Sequence, residues 1–202
     1  MKKLHQYLGL LMFLPFLAWA ITGVFFFIKP GYNEAYESLN IKTYVLTKLP
    51  QINIDKNWSE IRMFSSVLGD HLLVKSDKGW QQIDSQTLQI KKLPSEKEIT
   101  QLVNEAIQLN PKRYGQIKSI DELKIITNTG ITISLNWSQM SFHQTGNDTQ
   151  FINNMYKIHY LQWTGIKAID KILGIVGLGL VIILAFLGLS MIMKRNRSLK
   201  ER

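Results

Sequence analysis

Two histidines in apolar surroundings are the residues of this sequence with the clearest potential for chemistry. His159 lies in a stripe of apolar side chains at spacings of three and four residues, and His5 stands at the mouth of a long apolar run. A partly desolvated imidazole needs partners for its nitrogens. The partner is either a backbone carbonyl or tyrosine, which is structural, or a metal such as haem iron. The stripe consists of Ile152, Met155 with Tyr156, His159, Trp163 and Ile166.

Other residue types give no catalytic pattern. The sequence has no His-Glu-x-x-His or Gly-x-Ser-x-Gly motif, and its carboxylates fall in predicted turns, helix caps and strand ends. It has no cysteine, which excludes disulfides, thiolate chemistry and iron–sulfur sites. His71 and His143 fall in strand-like segments, where we expect exposed or hydrogen-bonded side chains. We therefore predict no catalytic residue and no metal-ion site.

Two long apolar segments must position His5 and His159. Ile172 to Met193 contains no charge, and Leu8 to Ile28 is apolar apart from Thr22. A helix of about 20 apolar residues crosses a bilayer core, so both segments are predicted to span a membrane. A signal peptide cleaved near Ala18-Trp19-Ala20 is the alternative for the first. Its apolar run continues to Ile28, longer than a signal peptide requires, so we expect an uncleaved anchor.

The net charge of +9 is concentrated beside these apolar segments. Residues 29–171 carry 17 cationic and 14 acidic side chains, a net +3, so the two ends carry the other +6. Basic residues collect on the cytoplasmic side of membrane helices. This distribution predicts an inner (plasma) membrane protein with both termini cytoplasmic and the central domain periplasmic. It argues against a nucleic-acid-binding protein.

The central segment is predicted to be an α+β domain, mostly antiparallel. Ser95 and Glu98 form a capping-box pattern before a helix with one apolar face, which Asn110-Pro111 ends. Asp77-Lys78-Gly79 and residues 128–130 are hairpin turn signals. The predicted strands are residues 60–66, 71–76, 80–83, 88–93, 122–127 and 131–137, and residues 43–54 form a further β-rich segment.

The chain is thus predicted to have five parts. They are an N-terminal transmembrane anchor (1–29), an extracytoplasmic domain (30–150), an amphipathic juxtamembrane segment (151–171), a second transmembrane helix (172–193) and a basic cytoplasmic tail (194–202).

Short motifs in both apolar segments resemble the PepSY-associated transmembrane family. The first helix of that family begins Leu-His-x-x-Leu-Gly and later carries Thr-Gly, and GWQQIDSQT is similar to a PepSY strand-turn pattern. The chain is identified as a small, two-span member with a PepSY-like domain. The matching residues are Leu4, His5, Leu8, Gly9, Thr22, Gly23, Gly79, Asp84, His159, Gly165, Gly188 and Lys194-Arg195.

The resemblance implies a function, because some larger relatives are haem-bearing reductases in siderophore iron uptake. It implies haem b as cofactor, with His5 and His159 as candidate ligands. The chain would then be an accessory protein of the bacterial envelope in haem-linked electron transfer for iron uptake, without catalysis of its own. The alternative is a membrane-anchored PepSY-like module that binds a peptide or protein without a cofactor.

The predicted topology constrains the haem hypothesis. A span of about 20 residues separates its ends by about 30 Å, so one chain does not place both histidines on one haem. A two-fold homodimer would pair each histidine with its equivalent. Otherwise each histidine would face a ligand from a partner membrane protein.

Overall fold

The computed structural model describes residues 2–46, 52 and 54–200. These residues form two compact units, one of residues 2–32 with 150–200 and one of residues 33–149. Most of the C-terminal half of the β-rich segment predicted for residues 43–54 lies outside the described residues. Its first half contains a single isolated bridge, between Tyr44 and Ser65.

The first unit contains two long apolar helices at the two ends of the chain, as predicted. Helix α1 is Lys2–Ile28 and helix α6 is Lys167–Lys200. Both are long and apolar enough to span a membrane, with mean hydropathies of 2.2 and 2.9. Most of their large apolar side chains are exposed, which suits contact with lipid rather than a protein core. The predicted second span, residues 172–193, is the apolar centre of a longer helix.

Helices α1 and α6 pack against each other in antiparallel directions. At one end Gly188 lies beside His5, and further along Gly177 lies beside Trp19. A Cβ atom at position 177 would be 2.7 Å from Leu161 Cδ1 and 3.6 Å from the Trp19 indole, whereas Gly179 faces open space. Small residues let membrane helices approach closely. A side chain at position 177 would therefore have to displace Leu161, whereas one at position 179 would displace nothing.

The second unit is α+β and contains two antiparallel sheets, which confirms the predicted class. The first sheet has the order β1-β2-β3 and the second β4-β5-β6-β7. The strands are β1 (Glu60–Ser66), β2 (Gly69–Ser76), β3 (Gly79–Ile83), β4 (Ile117–Asp121), β5 (Lys124–Thr127), β6 (Thr132–Asn136) and β7 (Ser141–Thr145). The helices are α2 (Tyr32–Ala35), α3 (Glu96–Ile107), α4 (Pro111–Tyr114) and α5 (Asn147–His159), the last of which continues into the first unit.

Helix α3 and both sheets share the main apolar core. The predicted capping box is present, because Ser95 accepts from the Glu98 amide and the Glu98 carboxylate accepts from the Ser95 amide at 2.7 Å. The apolar face of α3 packs with Leu73 of β2 and with Ile125 and Ile133 of the second sheet. The opposite face of the first sheet buries a smaller cluster around Leu72, Val74 and Ile83.

The structure corrects two strand predictions and contains two strands that the sequence did not predict. Residues 88–93 do not form a strand, since only an isolated bridge joins Ile90 to Ile83. The strand predicted for residues 122–127 begins at Lys124, because Glu122 adopts a positive φ of 50° in the turn before it. Strands β4 and β7 were not predicted. Both are edge strands with mostly polar sequences, IKSID and SFHQT, so their apolar alternation is weak.

Position 177 gives the first testable prediction. Gly177→Leu forces a side chain into the contact between Leu161 and Trp19, and overpacking of this kind costs about 1–3 kcal/mol. Gly179→Leu is the matched control, because its side chain enters open space. Thermal unfolding of the full chain in detergent should show a lower midpoint for Gly177→Leu alone. Equal midpoints for the two variants would contradict the packing described here.

Candidate functional site

His159 has one ring nitrogen engaged and one free. Its Nδ1 lies 2.8 Å from Thr22 Oγ1, whose hydroxyl donates to the Ala18 carbonyl at 2.6 Å. Because that proton is already used, the Thr22 oxygen accepts from the imidazole and Nδ1 carries the hydrogen. Nε2 then keeps its lone pair and has no hydrogen-bond partner within the described part of the chain.

The end of α5 fixes the position of His159. Gln162 N–H donates to the Lys157 carbonyl and Leu161 N–H to the Ile158 carbonyl, with Leu161 at a positive φ of 55°. This is a Schellman motif, and it makes His159 the last residue of the helix. Its carbonyl, which has no partner in the helix, accepts from Trp19 Nε1 at 2.6 Å.

The same motif corrects the predicted apolar stripe. The helix stops at His159, so Trp163 and Ile166 do not continue its face, and both are more than half exposed. The left-handed conformation of Leu161 is compensated by burial of its side chain against Gly177. The spacing of three and four residues therefore described a helix only as far as His159.

His159 lines a small apolar pocket in the first unit. The pocket has a volume of about 350 Å³, and Phe26 and Tyr160 make edge contacts with the imidazole. A neutral imidazole whose other nitrogen donates to a fixed oxygen is the usual state of a histidine that binds a metal. The lining residues are Trp19, His159, Tyr160, Leu161, Gly174 and Leu178.

His5 is not brought near His159. It lies beside Gly188, and its Nδ1 is buried without a hydrogen-bond partner. Thr22, which contacts His159, lies 17 residues further along α1. At 1.5 Å per residue this places the two histidines about 25 Å apart along the helix. The single chain therefore offers one histidine at each position and not a pair.

A larger cleft lies in the second unit, beside the edge of β3. Its volume is about 860 Å³. Strand β3 forms one wall, the segment from Ile90 to Leu93 a second, and β6 with the following turn a third. Lys91 and Lys92 line it and no carboxylate does, so the cleft is cationic. The side chains discussed below are Trp80, Gln82, Lys91 and Trp137.

Two buried polar atoms in the cleft walls have no partner in the described structure. They are Trp137 Nε1, a donor, and Gln82 Oε1, an acceptor. The side chains are 7% and 2% exposed. If the oxygen and nitrogen of the Gln82 side-chain amide were exchanged, the NH₂ group would be unpaired instead of the oxygen. One polar atom of Gln82 is therefore unsatisfied in either orientation. Each such group costs about 1–3 kcal/mol in the free protein.

His71 adjoins the cleft and is structural. It is fully buried, with Nδ1 2.6 Å from Gln82 Nε2 and Nε2 2.6 Å from Ser66 Oγ. The Gln82 amide donates to Nδ1, so Nε2–H donates to Ser66. Burial, assisted by the charge of Lys91 and opposed by Asp70, lowers its pKa to about 4. His71 is thus the hydrogen-bonded strand residue predicted, and His143 is exposed.

Lys91 is held at the rim between the cleft and the core. Its Nζ donates to the Asp70 carbonyl at 3.1 Å and lies 5.9 Å from the centre of the Trp137 ring. Burial lowers the pKa of Lys91 more than the nearby carboxylates of Asp84, Glu98 and Asp70 raise it. The ammonium group of Lys91, over the ring of Trp137, favours an anionic or carbonyl ligand in the cleft.

The sequence analysis identified the histidines but not the other residues of the two sites. Thr22 could have been singled out from the sequence, because it is the one polar residue of the first apolar segment. Nothing in the sequence marked Gln82 or Trp137, because their lack of partners depends on tertiary contacts.

Comparison with protein-family models, curated proteins and solved structures finds no match for this chain. Membership of the PepSY-associated family stays a prediction.

The buried state of His71 gives a second prediction, on pH. Its pKa is about 4 in the folded protein against 6.5 for an unperturbed histidine, so the unfolded chain binds the proton more readily between these values. Stability is therefore full above about pH 6.5 and falls as the pH approaches 4, by about 3 kcal/mol from this group.

Urea unfolding of the full chain in detergent, followed by tryptophan fluorescence at several pH values, measures this loss. His71→Leu should flatten the dependence although it lowers stability at every pH, because no group at position 71 then titrates. His143→Asn is the control and should keep the wild-type slope. An unchanged slope in His71→Leu would assign the pH dependence to other groups.

Proposed function

We propose that this chain is a membrane-anchored recognition module that binds an extended peptide segment in the cleft beside β3. The two unpartnered atoms, Trp137 Nε1 and Gln82 Oε1, carry this proposal. A peptide group offers one acceptor and one donor, which complement the indole N–H and the amide oxygen. Both atoms are closed to solvent in the free protein, so a bound segment would pair with them after the two side chains turn toward the cleft. That pairing would remove two unsatisfied polar groups and favour binding over an empty cleft.

The edge of β3 supports the extended form of the ligand. One side of β3 pairs with β2, and on the other Lys91 N–H donates to the Gln82 carbonyl at 2.9 Å. Beyond this bond, no strand among the described residues pairs with the side of β3 that faces away from β2. An open edge beside a cleft is the arrangement used in strand addition, where main-chain hydrogen bonds give affinity.

The charge of the cleft supports an acidic ligand. Lys91 and Lys92 are its two charged side chains, and Trp80 and Trp137 provide aromatic walls. We infer that the segment carries an acidic side chain or a terminal carboxylate near Lys91. The basic residues at both ends of the chain support cytoplasmic termini, so that the domain would meet its partner outside the inner membrane.

A third prediction separates binding from folding at position 137. Trp137→Phe keeps an aromatic ring but removes the N–H. Affinity for acidic peptides should fall about fivefold to tenfold through the lost hydrogen bond. The free protein loses no hydrogen bond, but the smaller ring leaves a cavity in the core that contains Trp137, so its stability should fall modestly. The measurement is isothermal titration of the full chain in detergent with the best binders from a synthetic library of acidic and basic peptides.

The matched control is Trp58→Phe, which changes a tryptophan in the smaller cluster on the other face of the first sheet. It should leave peptide affinity unchanged. If Trp137→Phe binds as tightly as the wild type, or if basic peptides bind as well as acidic ones, the cleft does not have the proposed role.

The second candidate function is haem-linked electron transfer, and the state of His159 is the observation that favours it. Nε2 has a free lone pair, and the Nδ1–H bond to Thr22 fixes the ring. His159 would hold the iron through Nε2, and haem would supply one-electron chemistry. A pocket of about 350 Å³ is at the small end for ligand sites and does not enclose a porphyrin. A second copy or a partner protein would have to supply the rest of the site.

A fourth prediction tests this role of His159. If it is a ligand, the purified protein has a Soret band that both His159→Gln and His159→Leu remove. Thr22→Val should weaken the band, because the ring loses its fixed orientation. If His159 is structural, no variant changes the spectrum. His159→Leu is then less stable than His159→Gln by about 1 kcal/mol, since Gln retains hydrogen bonding.

A further inference from the structure

A second pocket of the first unit is lined by three cationic side chains. It has a volume of about 900 Å³ and lies where α5 ends and α6 begins. The cationic residues are Lys157, Lys167 and Lys171. All three are exposed, and none forms an ion pair within the described part of the chain. Three unpaired ammonium groups around one pocket favour an anion.

The one carboxylate of this pocket is already engaged. Asp170 is 7% exposed, and its Oδ1 accepts from Thr164 N–H at 3.0 Å and from Thr164 Oγ1 at 2.7 Å. These bonds hold the turn before α6 and keep the carboxylate away from solvent. The lysines are therefore not neutralised by a fixed partner, and the pocket keeps a net positive charge.

The other walls of the pocket are aromatic and apolar. Tyr160 and Trp163 line it, and both are more than half exposed. Tyrosine and tryptophan collect at the level of lipid headgroups. Towards the centre of α6 the lining changes to Gly174, Ile175 and Leu178. Along α6 the lining thus passes from the charges of Lys167 and Lys171 to the apolar groove at Gly174 and Leu178, which is the order of a phospholipid's phosphate and acyl chain.

We propose that this pocket binds one anionic phospholipid. The phosphate and an acidic headgroup lie among Lys157, Lys167 and Lys171, and one acyl chain lies along Gly174 and Leu178. Gly174 leaves room for the chain, because a Cβ there would meet only the Tyr160 carbonyl, at 3.6 Å. The proposal is independent of the peptide cleft, with which it shares no side chain. It shares Tyr160, Gly174 and Leu178 with the lining of the His159 pocket, so an acyl chain there would compete with a group bound at His159.

Native mass spectrometry of the full chain in detergent, with phosphatidylglycerol or phosphatidylcholine added, tests this site. The wild type should bind phosphatidylglycerol more tightly. A triple variant, Lys157→Gln with Lys167→Gln and Lys171→Gln, should bind it roughly tenfold more weakly and lose the preference. The control triple variant is Lys97→Gln with Lys112→Gln and Lys118→Gln, which removes the same charge from exposed positions elsewhere. Equal weakening in both triple variants overturns the proposal.

Two further arms identify the source of the anion and the role of the apolar wall. Inorganic phosphate should not displace the lipid at a concentration comparable with the lipid's own. If it does, the pocket binds free phosphate and the lipid proposal is wrong. Gly174→Leu should weaken phosphatidylglycerol binding without changing charge, and Gly179→Leu should not. Circular dichroism of each variant confirms that the helices are retained, so that a loss of binding reports on the site.

Discussion

Every polar group removed from water must find a partner, and this constraint decides which residues of this chain are structural. In the first unit Nδ1 of His159 and its own carbonyl are both satisfied from α1, by Thr22 and Trp19. In the second unit His71 is satisfied through both ring nitrogens. These bonds fix a helix end and a strand pair, because breaking either leaves a buried group unpaired.

Several polar atoms have no partner in the described structure, and some of them belong to candidate sites. Nε2 of His159 has no partner among the described residues although Nδ1 is held, which is the asymmetry a ligand requires. Gln82 and Trp137 each leave one atom unpaired, and both line one cleft. A chain without cysteine must stabilise its domain by packing and hydrogen bonding alone. Its unsatisfied atoms therefore lower the stability of the free protein, and a ligand that pairs with them would raise it.

Local patterns predicted the elements, and tertiary contacts decided the rest. The capping box at Ser95, the hairpin at Asp77-Lys78-Gly79 and the two apolar helices were readable because each depends on neighbouring residues. The polar edge strands β4 and β7 were not, since pairing with β5 and β6 supplies what their sequences lack. The end of α5 was also hidden, because the Schellman motif places a leucine where glycine is the usual signal.

The two proposed sites differ in how much of each a single chain supplies. For this reason peptide binding in the cleft is better supported than haem binding at His159. The sequence singled out His5 and His159 by residue type, but their separation along α1 means that one chain supplies only half of a two-histidine site. The cleft is complete within one domain. Different segments contribute its cations, aromatic walls, open strand edge and two unpaired atoms. Together these features support the proposed ligand, a peptide that carries an acidic group. A site complete in one chain needs only its ligand, whereas the histidine site needs another protein as well.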